Sequence, residues 1–264
     1  MSIDFCSLSS SSSGNCHYLA SDKMKILVDA GFSGKKIEGL LGGIDVSCQD
    51  LDAIFITHEH IDHIRGAGVL SRRYDLPIYA NAGTWEAMEG DLGKLKKENI
   101  RILETDSYLN LKDLDILPVK TYHDARESVG YIVNSAGRKV SIITDTGKLD
   151  ARILEAMASS DIYLVESNHD IQMLRNGSYP VYVQDRIRSD LGHLSNDYIA
   201  GAMQDLVEGR GETILLAHLS KDNNSPKTAF NEMAFSLMER GLDIKKDINL
   251  ELTYRDRQTK LYRI

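Results

Sequence analysis

The sequence predicts an α/β fold with helices outside two mixed β-sheets, and three observations carry that prediction. Short apolar, β-prone runs alternate along the chain with longer stretches of helical period, as they do in α/β proteins. Several of those runs come in close pairs divided by turn residues, so the sheets must contain antiparallel as well as parallel neighbours. No composition break, low-complexity linker or internal repeat divides the 264 residues, of which 42% are hydrophobic and only four are proline. A single domain with a sizeable core is therefore expected over 1–264.

Taken in order, "IDFCSL" (3–8), "CHYLAS" (16–21) and "MKILVDAG" (24–31) read as strands. The serine run between the first two is too short for a flexible linker, and its position between strands predicts a tight turn. A helix is expected around 34–41. "LDAIFI" (51–56) is nearly all apolar, as a strand buried on both faces would be. A helix over about 66–75 and a short strand "PIYA" (77–80) follow. "IRILE" (100–104) and "DLDILPVKTYH" (113–123) are strands, and "SVGYIVNSAGRKVSIITDTG" (128–147) is a hairpin turning at 135–137. Helical period resumes at 148–159. "DIYLVESNHD" (161–170) is a buried strand running into polar residues, helices fill 180–190 and 195–208, and "ETILLAHLS" (212–220) is an apolar strand ending in His. A helix over 226–240 and a terminal hairpin in "LELTYRDRQTKLYRI" (250–264) complete the chain.

The net charge of −8 offers no broad basic surface to nucleic acid. The local basic pairs Arg72–Arg73, Lys96–Lys97 and Arg186 with Arg188 read as solvated faces. A bound metal pair would add about four positive charges where a phosphate sits, so the acidic balance does not exclude a nucleic-acid substrate. Cys6, Cys16 and Cys48 are odd in number and irregularly spaced, which suggests reduced thiols and a cytoplasmic protein. The N-terminus has no charged, apolar leader pattern, and no run approaches the roughly 18 apolar residues of a membrane span.

The stretch "FITHEHIDHIRG" (55–66) puts His58, His60, Asp62 and His63 within six positions. On a helix, at about 100° per residue, these side chains would spread too far, and on a strand His63 would point away from the others. The segment must coil at the end of the 51–56 strand. Imidazole and carboxylate without cysteine suit zinc, manganese or iron rather than a structural zinc knot. Other apolar strands end in the same residue types: Asp29, His123, Asp145, Glu166 and His218. Sites in α/β folds gather where strand ends deliver loops to one crevice.

HxHxDH followed by a distant His, then Asp, then His resembles the metallo-β-lactamase superfamily, over essentially the whole chain. The resemblance implies an αββα four-layer sandwich with a dinuclear metal site. By it, His58, His60 and His123 hold one ion, Asp62, His63 and His218 the other, and Asp145 bridges both. Asp29 would support the site by hydrogen bonding. "SLSSSSSGNCHYL", "YHDARESVGYIV", "TDTG", "ESNHDIQML", "YPVYVQDRI" and "GHLSN" together are similar to the YycJ/WalJ subfamily, regarded as DNA-directed exonucleases. An aspartate at 145, where zinc β-lactamases usually carry cysteine, is the phosphodiesterase and glyoxalase arrangement. His60 stands where flavodiiron reductases have Glu. Only 72 residues separate Asp145 from His218, too few for the domain that multidomain nucleases insert there.

The resemblance further implies His193 as general acid, oriented and kept protonated by Glu166, and Asp62 completes the catalytic set. Ser195 is a better N-cap for the following helix than His193. His169 either contacts substrate or bonds its own loop, His17 is structural, and Ser12–Asn15 line the pocket floor. The function expected is a phosphodiesterase with two divalent ions, acting as an exonuclease on DNA ends. The alternatives are a small-molecule cyclic phosphodiesterase, a glyoxalase-type thioester hydrolase, or a non-catalytic regulatory partner.

Overall fold

The structure is a computed structural model and describes residues 2–264. In chain order the strands are β1 (Asp4–Ser9), β2 (Cys16–Ala20), β3 (Lys25–Val28), β4 (Ala53–Phe55), β5 (Ile78–Ala80), β6 (Ile100–Ile102), β7 (Leu109–Leu111), β8 (Leu114–Lys120), β9 (Val129–Ser135), β10 (Arg138–Ile143), β11 (Ile162–Glu166), β12 (Glu212–Ala217), β13 (Ile248–Leu252) and β14 (Tyr262–Arg263). The α-helices are α1 (Gly34–Gly42), α2 (Ile61–Ile64), α3 (Ala67–Tyr74), α4 (Ala82–Leu92), α5 (Ala151–Met157), α6 (Ile171–Asn176), α7 (Val181–Arg188), α8 (Asn196–Leu206) and α9 (Pro226–Glu239).

These strands make two mixed seven-stranded sheets flanked by helices, ordered β14-β1-β2-β3-β4-β5-β6 and β13-β12-β11-β10-β9-β8-β7. Neighbours from β14 to β3 are antiparallel and from β3 to β6 parallel. In the second sheet β7 to β9 are antiparallel and β10 to β13 parallel. Two mixed sheets with helices beside them are the α/β architecture that the alternating pattern predicts. The parallel strands β4, β11 and β12 are buried at every residue, which is why they read as unbroken apolar runs rather than as alternation.

The chain divides into two compact units. The first comprises the residues through Lys120, Ala125–Arg138 and Tyr254–Ile264. A core cluster in it packs Leu8, Leu27 and Ile54 of the sheet with Ile37 and Leu41 of α1, Leu70 of α3 and Met88 of α4. The turn at 135–137 forms as expected: Ala136 and Gly137 both have positive φ, 51° and 80°, as a type I′ hairpin requires. The second unit comprises Thr121–Asp124 and Lys139–Thr253. In it Ile142, Val165 and Leu215 of the parallel strands are buried, as are Met203 of α8 and Met233 of α9.

The terminal hairpin does not form. β13 joins β12 in parallel, whereas β14 pairs antiparallel with β1. An isolated two-stranded hairpin is marginal in water, and each segment finds an open edge of an existing sheet instead. The sequence reading also lacks α4, whose two internal glycines weaken its helical signal and whose N-terminus rests on Asn81 Oδ1 accepting from the Thr84 amide at 2.9 Å. Among the described residues no helix is long and apolar enough to cross a membrane.

Candidate metal centre

In the first unit β4 ends at Phe55 and the chain coils through Thr57 into the single turn of α2. That coil gathers the histidines, with ring centroids of His58 4.6 Å from His60 and 4.0 Å from His63. His58 Nε2 lies 3.1 Å from His60 Nδ1. Two ring nitrogens this close need a proton or a cation between their lone pairs. Asp62, in α2, brings Oδ2 to 3.6 Å from His63 Nε2.

Asp29 holds this cluster from behind. It follows β3 directly, at a φ of 62°, and that left-handed turn redirects the chain as the strand ends. Its carboxylate accepts from the Thr57 amide at 2.9 Å, from Thr57 Oγ1 at 2.9 Å, and faces His63 Nδ1 at 2.8 Å. Thr57 Oγ1 also lies 3.0 Å from His58 Nδ1. Nδ1 of His58 thus faces a hydroxyl and Nδ1 of His63 a carboxylate, which turns each Nε2 to the opposite side of its ring, as in imidazoles whose Nδ1 is hydrogen-bonded behind a metal. Asp29 thus hydrogen-bonds the residues on either side of the histidine cluster, the contact expected of a supporting residue.

Within the serine turn, Asn15 is the residue that acts on the site. Buried, it accepts from the Ser10 hydroxyl and the Ser11 amide through Oδ1, at 3.1 and 3.0 Å. Its Nδ2 lies 3.0 Å from His63 Nε2 and 3.4 Å from Asp62 Oδ2. Its amide donates to Asp62 O at 2.8 Å, while the Gly31 amide donates to Asn15 O at 2.9 Å. Gly31 has no alternative here, since a Cβ would stand 1.7 Å from Asp62 O. Sequence reading put Asn15 among the residues of the pocket floor without its contacts to Asp62 and His63, and it missed Thr57 and Gly31. Their one signal is position, beside the serine run, before the first His, and after Asp29. His17 is buried in β2, its Nδ1 lying 3.1 Å from Ser7 Oγ.

In the second unit the parallel register brings three strand ends level. Ile143 pairs with Val165, and Glu166 with Ala217, so Asp145, Glu166 and His218 emerge along one edge. Asp145 and His218 both have a φ of 54°, off the strand direction at the point where each side chain is delivered. His218 Nδ1 stands 3.0 Å from Asp145 Oδ1 and 3.0 Å from Glu166 Oε1. His193 Nδ1 reaches Glu166 Oε1 at 2.7 Å. His123 Nε2 lies 3.9 Å from Asp145 Oδ1.

Glu166 is fully buried, which alone would favour its neutral form. The charge of His193, the hydrogen bonds from His193 and His218, and the charge of His218 together outweigh that and hold the carboxyl below its ordinary range. The amides of Thr146 and Leu194 also donate to Oε2, at 3.2 and 3.4 Å. Burial works against charge on His193 as well, but the Glu166 carboxylate raises its pKa above the ordinary imidazole value. His218 is pushed well up by Asp145 and Glu166 against its own burial. His123, with burial dominant, goes down.

His193 does not cap α8. Ser195 holds the N-cap position with extended backbone but makes no side-chain capping bond. His169 is buried, and its backbone bridges to Ser195. In each unit, then, imidazole and carboxylate atoms converge with their outer faces hydrogen-bonded, a donor set that fits divalent metal ions.

Residues 24–219 match the family model of the beta-lactamase superfamily domain. The chain is 38% identical over 261 residues to exodeoxyribonuclease YycJ of Bacillus anthracis, covering 99% of each. It is 43% identical over 259 residues to exodeoxyribonuclease WalJ of Streptococcus pneumoniae, covering 97% of this chain and 96% of that one. Among solved structures, the metallo-β-lactamase fold protein YhfI of Bacillus subtilis superposes with a TM-score of 0.74 over 100% of both chains. At 15% identity that likeness is one of fold. With its histidine motif, its two mixed sheets and full-length relatives of this kind, the chain belongs to the beta-lactamase superfamily, in the family of YycJ and WalJ.

Proposed function

We propose that this protein is a dinuclear-metal phosphodiesterase that removes nucleotides from DNA ends. One observation carries the reading: His193 Nδ1 is bonded at 2.7 Å to the buried Glu166 carboxylate, which also bonds the proposed ligand His218. A leaving alkoxide needs a proton, and a carboxylate-paired imidazole can supply one. A thioester hydrolase has less use for that pair, because a thiolate of pKa about 8.5 departs unaided.

In this reading His58, His60 and His123 hold one ion, Asp62, His63 and His218 the other, and Asp145 both. Zinc, manganese and iron all suit the set. When bound, the ions supply a water of pKa near 7 and positive charge against the phosphate. Glu166 holds His193 by Nδ1, leaving Nε2 to protonate the departing oxygen, and Asp62 would act through the ion it holds. The cysteines Cys6, Cys16 and Cys48 are free thiols and support a reducing, cytoplasmic setting.

Relatives named exodeoxyribonucleases support DNA as substrate. A net charge of −8 and the absence of an inserted domain favour a threaded strand end over a gripped internal duplex. The test is a panel of end-labelled linear DNA and RNA beside covalently closed single-stranded circles, run with each metal. Linear DNA should be digested and circles spared. Circles degraded as fast as linear DNA would overturn the end-dependent mode, and hydrolysis of lactoylglutathione without bis(p-nitrophenyl) phosphate would overturn the phosphodiesterase.

A further inference from the structure

Beside His193, the second unit contains a cavity of about 140 Å³, lined by Gly147, His169, Ile171, Arg188, His193, Leu194, Ser195 and Tyr198. Drug-sized ligands occupy roughly 300–1,000 Å³, so this space suits a small group and not a nucleoside. Its chemistry is that of an anion site. Arg188 is exposed, and its guanidinium makes no ion pair or hydrogen bond with the described residues. His169 is 2% exposed, and its Nδ1 has no hydrogen-bond partner among the described residues. Burial lowers the pKa of His169 to about 4, so near neutral pH the ring can offer an N–H without repelling Arg188. α8 begins at this wall, and the Ser195 hydroxyl is not engaged in capping it, so the positive end of an 11-residue helix adds to the field, partly offset by Asp197 in its first turn. No carboxylate lines the cavity among the described residues, in contrast to the centre next to it.

We propose that Arg188, His169 and the N-terminus of α8 form a subsite for a second phosphate of the DNA strand, adjacent to the one being cut. This rests on the phosphodiesterase reading above. Arg188 supplies the charge in a planar fork matched to phosphate oxygens. His169 supplies a fixed donor, and the phosphate so held sets how far the strand enters. The phosphate has two possible sources, a terminal 5′- or 3′-phosphate or the neighbouring backbone linkage.

The experiment compares linear oligodeoxynucleotides bearing a 5′-phosphate, a 3′-phosphate or two hydroxyl ends, and one with a neutral methylphosphonate at the linkage next to the end. Each is digested by the metal-loaded protein and by Arg188→Ala and Arg188→Lys. Removal of one of these phosphate charges should raise KM about tenfold or more in the unmodified protein, with kcat changing less. In Arg188→Ala the same removal should have no effect, and Arg188→Lys should restore part of the preference. The arm that responds names the source. A KM indifferent to every phosphate, or a preference that persists in Arg188→Ala, overturns the subsite.

Two further measurements keep the subsite and the wider reading apart. Hydrolysis of bis(p-nitrophenyl) phosphate, which has no second phosphate, tests the phosphodiesterase centre alone. Titration of inorganic phosphate against the His169 ring resonances by NMR tests the subsite without turnover. The resonances should shift, and should not in Arg188→Ala. Failure to shift in the unmodified protein counts against the subsite whatever the activity.

Discussion

Glu166 gathers four hydrogen bonds onto one buried side chain. A buried carboxylate is tolerated because four donors meet it: His193 and His218 at Oε1, and the Thr146 and Leu194 amides at Oε2. The two imidazoles it orients are given different tasks in the proposed mechanism. Replacing His193 by Ala should leave the metal content unchanged but slow DNA turnover by about 10²–10⁴, the usual loss on removing a general acid. On a p-nitrophenyl ester, whose leaving group departs without a proton, the loss should be much smaller. Equal losses on both substrates would assign His193 to positioning. Asp145 makes the complementary test. If it bridges two ions, Asp145→Ala should retain at most one tightly bound ion per chain by elemental analysis. Two retained ions would remove Asp145 from the ligand set.

Among the elements, the contact between the serine turn and the ligand loop is the most exacting. The amides of Asn15 and Ala30 donate to Asp62 O and His63 O, at 2.8 and 2.7 Å, so β2 and β3 set the position of the loop by backbone bonds. Gly31 sits in that contact. A methyl there must displace Asp62 O or its own strand end, and overpacking of this kind costs about 1–3 kcal/mol. Gly31→Ala should lower Tm and weaken metal retention together. Gly39, in α1, is the control, because nothing lies within 4 Å of its added Cβ. Gly39→Ala should raise stability by about 0.4–1 kcal/mol with metal content unchanged. Calorimetry and metal analysis on the pair decide the matter, and a Gly31→Ala protein as stable and metal-replete as its parent would show that the loop is free to move.

For the molecule as a whole, the thiols report on integrity. Cys6, Cys16 and Cys48 are all buried. Burial pushes Cys6 and Cys48 up to about 11. Burial, with Asp29 and the neighbouring thiols adding to it, pushes Cys16 well above its ordinary value. Each proton is held more tightly in the folded state, so mild alkali should not expose thiolates until the fold opens. A shift from 9.0 to about 11 cuts the thiolate fraction near pH 8 roughly a hundredfold. Ellman's reagent should therefore label the native protein slowly and all three cysteines on unfolding, in step with loss of circular dichroism. Fast labelling of any one in the native state would place it at an open surface.

The sequence by itself determined the class of the fold, the ligand-type residues at the strand ends and their grouping at His58 to His63. Strand burial and turn chemistry are local properties, and residues that bind metal must be present as the right chemical types before any folding occurs. The hairpin at 135–137 was legible for the same reason, in the Gly that its turn requires. Only the tertiary structure decided which nitrogen each imidazole presents, because that choice belongs to Asp29, Thr57 and Glu166, up to 52 positions away along the chain. It also decided that Asn15 serves the ligand loop, that Gly31 must lack a side chain, and that the last two strands part company. Those outcomes depend on which backbone edge or polar atom lies across a gap in space, and no periodicity along a single chain records that.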